Sequence, residues 1–435
     1  MIEKGGASVK EAKERLFWIW LAEALGPENK SFRNLIMRYE TPYEIYRADP
    51  FELEGVEGLS EKTLAALNDK NLGSATSILD ACERLGIGIL TYADKSYPKN
   101  LRRIKTPPVL LYCKGELPDF DARLSIGMVG TRKMSAYGLH HAYKIAYELT
   151  SAGAITVSGM AAGIDGVTAA ASLAAGGPTV AVLGCGVDVV YPPYHVKLRN
   201  KIAESGLLLS EYPPGTKPNA YHFPTRNRII SGISEGTVVV EAGLGSGSLI
   251  TAKDAIEEGR DVFALPSNLG NRTSAGTNGL LRDGANLVLS TEDILEPYKY
   301  VFPKTLHPEK LALIEDKSNA DFAFLDDIGV IQWTKAEPTQ KASLPTAQKP
   351  EKPKKQTKPQ KAEEPEADKP DEALLSGLSD TEKSILDAMP QGRAVPLDVL
   401  LSLGLSHGDV LAAVTTLEIL GIIKKLPGSQ YQKLN

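Results

Sequence analysis

Between residues 123 and 290 the chain alternates short, continuous apolar runs with stretches of helical periodicity. "RLSIGMVG" (123–130) precedes "SAYGLHHAYKIAYELTSAG" (135–153). "AITVSG" (154–159) precedes "IDGVTAAASLAAGG" (164–177), and "PTVAVLG" (178–184) follows. Further along come "GLLLSEY", "GTVVVEAG", "SLITAKDAIEEG", "RDVFALP" and "ANLVLS". Apolar runs without polar alternation are strands buried on both faces, and helices between them require parallel crossovers. The pattern predicts a doubly wound α/β domain, an extended Rossmann-like parallel sheet, over residues 122–300. In such folds ligands sit beyond the carboxyl ends of the strands.

The pattern differs on either side. Residues 9–85 read as a small all-α domain of the SAM or helix-hairpin-helix kind. "RLFWIWLAEAL" is apolar all round, and "GVEG" (55–58) lies between two helical stretches. That turn is either a phosphate-presenting helix-hairpin-helix turn or a simple tight turn. Residues 86–121 are expected to connect the two domains. Residues 336–371 are rich in Pro, Lys, Glu and Gln and nearly free of large apolar residues, so they are read as a disordered solvated tether. Residues 375–435 predict three helices and a β-hairpin, a winged-helix domain. "LSDTEKSILDAM" opens on a capping box, Ser379 and Glu382; "VPLDVLLSLG" is the second helix. The third carries Val410, Val414, Leu417 and Leu420 on one stripe, and Lys424 and Lys425 lie on the wing. DNA contact and protein docking both remain open for this tail.

Composition narrows the class. A chain of 435 residues with 42% hydrophobic and 24% charged residues suits a multidomain globular protein. A net charge of −5 argues against coating nucleic acid through bulk charge, but allows a local basic site. No apolar run is long enough to span a membrane, and "MIEKGGASVKEAKERLF" lacks the apolar core of a signal peptide. Cys82, Cys113 and Cys185 show no CxxC spacing, which suits a reducing compartment and argues against zinc.

The candidate chemistry clusters at strand ends. "MVGTRKMSAYG" (128–138) is a strand, a glycine turn and a helix start, a place where backbone N–H groups receive phosphate. Gly130 permits close approach, Thr131, Arg132 and Lys133 follow, and Ser135 is the expected N-cap. "VSGMAAGIDG" (157–166) repeats the theme with Ser158 and Gly159, and Asp165 reads as a helix cap. "VVVEAGLGSGSLITAKDA" (238–255) places Gly243, Gly245, Ser246 and Gly247 between a buried strand and a helix. No GxGxxG fingerprint or Walker lysine completes these loops, so they read as anion cradles. Lys253 lies in the following helix, its long stem able to return to the crevice. Arg132, Arg226, Arg228 and Lys253 together would form one positive pocket. No Ser-His-Asp order or metal-ligand cluster accompanies it, so no catalytic residue, metal or cofactor is expected.

"HFPTRNRIISG" (222–232) places two arginines around Asn227. Pro224 suits the first turn of a helix, and residues two apart on a helix point about 200° apart. Arg226, nearer the helix start, is therefore assigned to the pocket. Arg228 is assigned to a carboxylate, Glu241 or one across a dimer.

These motifs resemble the DNA-processing protein A family (DprA, also called Smf) over nearly the whole chain. The resemblance rests on "YPKNLRRIKTPPVLLYCKGEL", "GTRKMSAYG", "SGMAAGID", "AVLGCGVDVVYP", "LLLSEYPPGTKP", "FPTRNRIISG", "EAGLGSGSLITA" and "GTNGLLRDGA". It implies a non-enzymatic, cytoplasmic protein that binds single-stranded DNA, with duplex bound more weakly. It also implies a homodimer through the α/β domain and loading of RecA recombinase in natural transformation and recombination, with no membrane partner. By motif position Arg132, Phe223 and Lys253 would contact DNA, with Arg226, Asn227 and Arg228 lining the same site. Gly130, Thr131, Lys133, Ser135, Ser158, Gly159, Gly245, Ser246 and Gly247 complete the expected set. The family usually has Asn where this chain has His195, and often Val-Pro-Gly where it has "LPSN" with Ser267.

Two alternatives use the same pocket. One is a LOG-type nucleoside-monophosphate phosphoribohydrolase, whose catalytic glutamate would fall on Leu249, a residue that can neither direct water nor stabilise positive charge. The other is a small-nucleotide sensor.

Overall fold

The computed structural model describes residues 9–314, 322–331, 379–390, 394–396, 399–400, 407–419, 422–426 and 430–433. The chain divides into two units, Met1–Thr339 and Gln340–Asn435. The linker expected over 336–371 lies outside the described residues.

The first unit opens with helices α1 (Val9–Leu25), α2 (Phe32–Tyr39), α3 (Pro42–Arg47), α4 (Pro50–Glu54), α5 (Glu61–Asn68) and α6 (Gly73–Leu85). The short ones start where the sequence supplies a cap. Thr41, Asp49 and Ser60 each accept a hydrogen bond from a first-turn backbone N–H, and Pro42 and Pro50 follow directly on the first two caps. Trp18, Ile19, Trp20 and Leu21 are consecutive and all buried, as an all-round apolar helix requires. The "GVEG" turn is tied back to α2: Ser31 Oγ donates to the Gly58 carbonyl and Asn34 Nδ2 to that of Glu57.

The remainder of this unit is built on a nine-stranded sheet of order β1-β2-β6-β5-β4-β3-β7-β8-β9. The strands are β1 (Gly88–Thr91), β2 (Leu110–Gly115), β3 (Ser125–Val129), β4 (Ile155–Ser158), β5 (Thr179–Leu183), β6 (Leu207–Ser210), β7 (Gly236–Val239), β8 (Asp261–Ala264) and β9 (Asn286–Leu287). Strands β3 to β9 are mutually parallel, as expected from their uninterrupted apolar runs. Residues 86–121, expected to be a connection, instead supply β1 and β2. β2 pairs antiparallel with β6, and β1 pairs antiparallel with β2. The apolar run "VLLYC" (109–113) is buried throughout, and burying both faces of a strand requires sheet neighbours.

Crossover helices cover both faces. One face carries α8 (Ala136–Ser151), α9 (Ile164–Ala174) and α10 (Val196–Ser205). Its core includes Ile126, Met128, Leu208 and Val238, and is continuous with that of the N-terminal helices. The other carries α7 (Lys99–Arg103), α11 (His222–Ile233) and α12 (Ser248–Glu257), packed on Val129, Val157, Val182 and Val239. α13 (Ala275–Arg282), α14 (Thr291–Leu295) and α15 (Phe322–Asp327) follow.

The second unit has its own core. α16 (Asp380–Asp387) begins with the expected capping box, Ser379 and Glu382 each bonding the other's backbone N–H. α17 (His407–Ile419) buries Val410, Val414 and Leu417, while Leu420 lies outside the described residues. β10 (Ala394–Pro396), β11 (Ile423–Leu426) and β12 (Gln430–Lys433) form a sheet of order β10-β12-β11. Val395 and Pro396, expected at the start of a second helix, are strand residues because Val395 pairs with Tyr431. Of that helix, residues 399–400 are helical, and 397–398 and 401–404 lie outside the described residues. No helix among the described residues is long and apolar enough to cross a membrane.

One glycine is required at the carboxyl edge of the sheet. Gly163 stands at φ +79, and a Cβ there would run into the Thr131 and Arg132 carbonyls of the neighbouring strand-end turn. Gly163→Ala is expected to lower stability by about 1–3 kcal/mol, read by denaturant melts, because both backbone strain and a clash with main-chain atoms result.

Candidate functional site

At the carboxyl ends of β3, β4, β5 and β7 lies a cleft of about 610 Å3. The turn after β3 contributes Gly130 and Arg132, the first turn of α9 contributes Asp165, and α11 contributes Phe223, Arg226 and Asn227. The opposite wall is the turn into α12, at Ser246, Gly247 and Ser248. Among the described residues, Asp165 is the one carboxylate that lines it.

α11 begins at His222, so Pro224 lies in its first turn, where its missing N–H costs nothing. The helix then divides its polar residues by angle. Arg226 points to the cleft side and is almost wholly buried, at 4% exposure. Its Nη1 donates to the Gly159 carbonyl at 2.9 Å and to that of Val182, and its Nε donates to Asn227 Oδ1 at 3.2 Å. Gly159 directly follows β4 and Val182 is the penultimate residue of β5, so the two carbonyls mark the carboxyl ends of neighbouring strands. Gly159 leaves room for this, since a Cβ there would lie 2.5 Å from Arg226 Nη2 and 2.6 Å from Asp165 Oδ2. Asp165 accepts from Gly159 N at 3.1 Å. Asp165 was expected to cap α9, but Gly163 is the N-cap residue and the carboxylate braces the preceding turn instead. Burial pushes the Asp165 carboxyl up and the Arg226 guanidinium down, and each pulls the other back toward its charged form.

Arg228 occupies the other side of α11. Its Nη2 donates to Glu211 Oε1 at 2.7 Å and Oε2 at 2.5 Å, and its Nη1 to the Thr106 carbonyl at 2.7 Å. The partner is therefore Glu211, at the end of β6, rather than Glu241 or a residue across a dimer. Burial raises the Glu211 carboxyl and Arg228 opposes that shift.

Glu241 is committed elsewhere. Fully buried, it accepts from Ser135 N at 2.9 Å, Ser135 Oγ at 3.0 Å and Thr273 Oγ1 at 2.6 Å. Ser135 is the N-cap of α8, as expected, its Oγ also accepting from Gly138 N. The positive end of α8, where the sequence suggested a phosphate, thus holds an internal carboxylate. An incoming anion in this cleft is left with Arg132 and the turn into α12.

Arg132 is exposed and reaches over the Phe223 ring, with its guanidinium carbon 5.5 Å from the ring centroid. Phe223 is half-buried. It packs against Tyr191 at 5.2 Å between centroids, over Gly184, where a Cβ would lie 2.9 Å from the ring. Asn227 Nδ2 donates to the Gly247 carbonyl at 3.4 Å, linking α11 to the α12 turn across the cleft. In that turn Ser246 Oγ and Ser248 Oγ are 2.7 Å apart, and Gly245 is exposed with open space around its Cα.

The proposed four-cation pocket is not assembled. Arg132 and Arg226 line the cleft, Arg228 faces Glu211, and Lys253 is an exposed residue paired with Glu257 at 3.6 Å. α12 turns Ser248, Ile250 and Thr251 toward the cleft, so Lys253 falls outside its lining. Lys133 and Thr131 form a local turn, Lys133 N donating to Thr131 Oγ1. Ser158 is buried and donates to the Met128 carbonyl, which makes it a strand tie. His195 is buried with Nδ1 3.1 Å from the Met160 carbonyl, bracing the turn after β4; burial lowers its pKa. Ser267 is held by Asn278, which accepts from its N–H and donates to its carbonyl. Tyr191, Pro218 and Asn219 also line the cleft without having been singled out in sequence. Among the described residues, no group of three or more His, Cys, Asp or Glu side chains can hold a metal ion.

Comparison with known proteins places this geometry. The family model for DNA recombination-mediator protein A matches residues 88–299. Protein Smf of Synechocystis is 33% identical over 425 residues, covering 97% of this chain and 99% of that protein. DNA processing protein DprA of Bacillus subtilis is 43% identical over 219 residues, 50% of this chain and 74% of that protein. The X-ray structure of DNA processing protein A from Streptococcus pneumoniae superposes with a TM-score of 0.56 at 34% identity, covering 65% of this chain and 97% of that one.

The two kinds of arginine predict opposite behaviour in denaturant. Arg228→Ala strands the Glu211 carboxylate and is expected to cost about 3–5 kcal/mol, whereas exposed Arg132→Ala should stay within about 0.5 kcal/mol of wild type. A second expectation concerns Asp254 on α12. Burial pushes its carboxyl up to about 6, with Glu257, Glu28 and Glu258 adding to the shift and Arg228 opposing it. A carboxyl raised in the folded state holds its proton more tightly there, so stability falls as pH rises from about 4 to about 6. Asp254→Asn should therefore melt above wild type at pH 7, with the difference closing below pH 4, as followed by thermal melts across that range.

Proposed function

The chain belongs to the DNA recombination-mediator protein A family, and on that premise we propose that it binds single-stranded DNA in the cleft at the carboxyl edge of the sheet. The single observation that carries the reading is Arg132, an exposed cation laid over Phe223 at a cleft walled by glycine and serine turns. A cation supplies attraction to phosphate, an aromatic ring supplies a face for any base, and neither reads sequence. Asn227, Ser246 and Gly247 form the opposite wall, and Arg226 adds positive potential from beneath while holding the strand ends together. Lys253 acts from outside the cleft, through long-range attraction alone.

The binding is non-enzymatic in this reading. Leu249, where a phosphoribohydrolase would need its glutamate, packs against the apolar core under α12. The bound strand is shielded and passed to RecA recombinase by a homodimer in the cytoplasm, in natural transformation and recombination. Residues 375–435 act as a winged-helix module that holds DNA or a partner protein.

The test is a binding series with length-graded single strands, duplex and mononucleotides, with and without residues 336–435. Affinity should rise with strand length, fall steeply with salt and exceed that for duplex. Phe223→Ala should weaken binding about 5- to 150-fold, the value of one stacked base, and Arg132→Ala should also flatten the salt dependence. Lys253→Ala should do less than either. Saturable mononucleotide binding without length dependence would replace this reading with a nucleotide sensor, and release of free base from a nucleoside monophosphate with a hydrolase.

A further inference from the structure

The helix that walls the cleft is gripped from behind by the N-terminal helical module. Thr225 and Arg228, a turn apart on α11 and absent from the cleft lining, both meet Glu28 in the loop between α1 and α2. Thr225 Oγ1 donates to Glu28 Oε2 at 3.2 Å, and Arg228 Nε stands 3.8 Å from Glu28 Oε1. That Nε is buried and makes no hydrogen bond, while the rest of the guanidinium is committed to Thr106 and Glu211. Glu28 is thus the counter-charge on Arg228's free edge.

The loop is shaped to deliver this carboxylate. Glu28 sits at φ +56, a left-handed conformation that residues with a Cβ adopt at a cost, and it follows Gly26 at φ +69 and Pro27. Asn29 pins the loop to its own helices, donating to the Leu25 carbonyl and accepting from Ser31 N, both at 2.9 Å. Beside it the interface is open. A cavity of about 240 Å3 separates Ala22, Gly26 and Pro27 from Val109, Tyr112 and Pro213. The module and the sheet share an apolar core around Leu25, Val109 and Tyr112, and beside this cavity the Glu28 contact adds a polar tie that reaches α11 directly. Of the charged groups around Glu28, Arg228 attracts it, and Glu211 and Asp254 repel it.

We propose that Glu28 is a positioning residue for the cleft: through its carboxylate the N-terminal module fixes α11 so that Phe223 and Asn227 face the bound strand, and thereby sets affinity for single-stranded DNA without touching it. The inference rests on the reading of the cleft as a single-strand site. Rigid coupling through one helix is the physical link, since residues 225 and 228 share their turns with 223, 226 and 227.

The full chain carrying Glu28→Ala, or Thr225→Val as a second variant, is compared with wild type in two ways. Amide hydrogen exchange is followed across residues 222–233, and binding of a labelled oligothymidine strand is measured over a salt series. Exchange in α11 should quicken, and affinity should fall about 3- to 10-fold. The salt slope should stay unchanged, because no phosphate contact is lost. Glu28→Gln, which keeps the acceptor for Thr225 but not the charge, should fall between. In a Phe223→Ala background, Glu28→Ala should have little further effect on affinity. Unchanged exchange in α11 overturns the proposal. So does quickened exchange with wild-type affinity, or a raised affinity with an altered salt slope, which would mark Glu28 as a distant repeller of phosphate. If the wild-type chain binds no single strand, the reading of the cleft fails by itself, and the exchange data still decide whether Glu28 holds α11.

Discussion

At the carboxyl edge of the parallel sheet the Arg226 guanidinium takes up two main-chain carbonyls from neighbouring strand ends, those of Gly159 and Val182. The arrangement around the cleft depends on this contact. It spans the ends of β4 and β5, and it keeps a positive charge beneath the cleft floor. It also requires glycine at 159, because any Cβ would displace either the guanidinium or Asp165. Burial of a guanidinium is tolerated because it donates to fixed carbonyls and faces a carboxylate, conditions under which a buried charge ceases to be an isolated one.

From that anchor, α11 acquires a division of labour. One side carries Phe223, Arg226 and Asn227 to the cleft. The other carries Thr225 and Arg228 to Glu28 and Glu211. On the first side Phe223 and Asn227 border the cleft above the buried Arg226, while the second side is held by the buried Arg228–Glu211 pair and the half-exposed Glu28. The cleft wall is consequently a helix braced from behind, with the Phe223 ring on it facing Arg132 from the turn after β3.

The glycine turns divide in the same manner. The turn into α8 looks like a phosphate cradle, but Glu241 already satisfies the helix start through Ser135. That carboxylate would repel a phosphate at the same place. Glu241 belongs to the connection between β7 and α12, but its carboxylate is turned to the start of α8, and the end of that connection keeps Ser246 and Gly247 at the cleft. An anion entering the cleft would therefore meet Arg132 and the start of α12, on a chain whose overall charge is −5.

What depends on neighbours a few residues away was legible in the order of the amino acids. Uninterrupted apolar runs specified the parallel strands, Ser135 and Ser379 specified helix starts, and Pro224 with helical geometry put Arg226 and Arg228 on different sides of one helix. Tertiary structure decided which distant group each charge meets. Glu211 rather than Glu241 pairs with Arg228, Glu241 fills the start of α8, Lys253 turns away from the cleft, and β1 and β2 join the sheet. Period and capping are local properties of the backbone, legible within a turn or a strand. The partner of a buried charge is set by packing between segments far apart in sequence, and no local pattern records that choice.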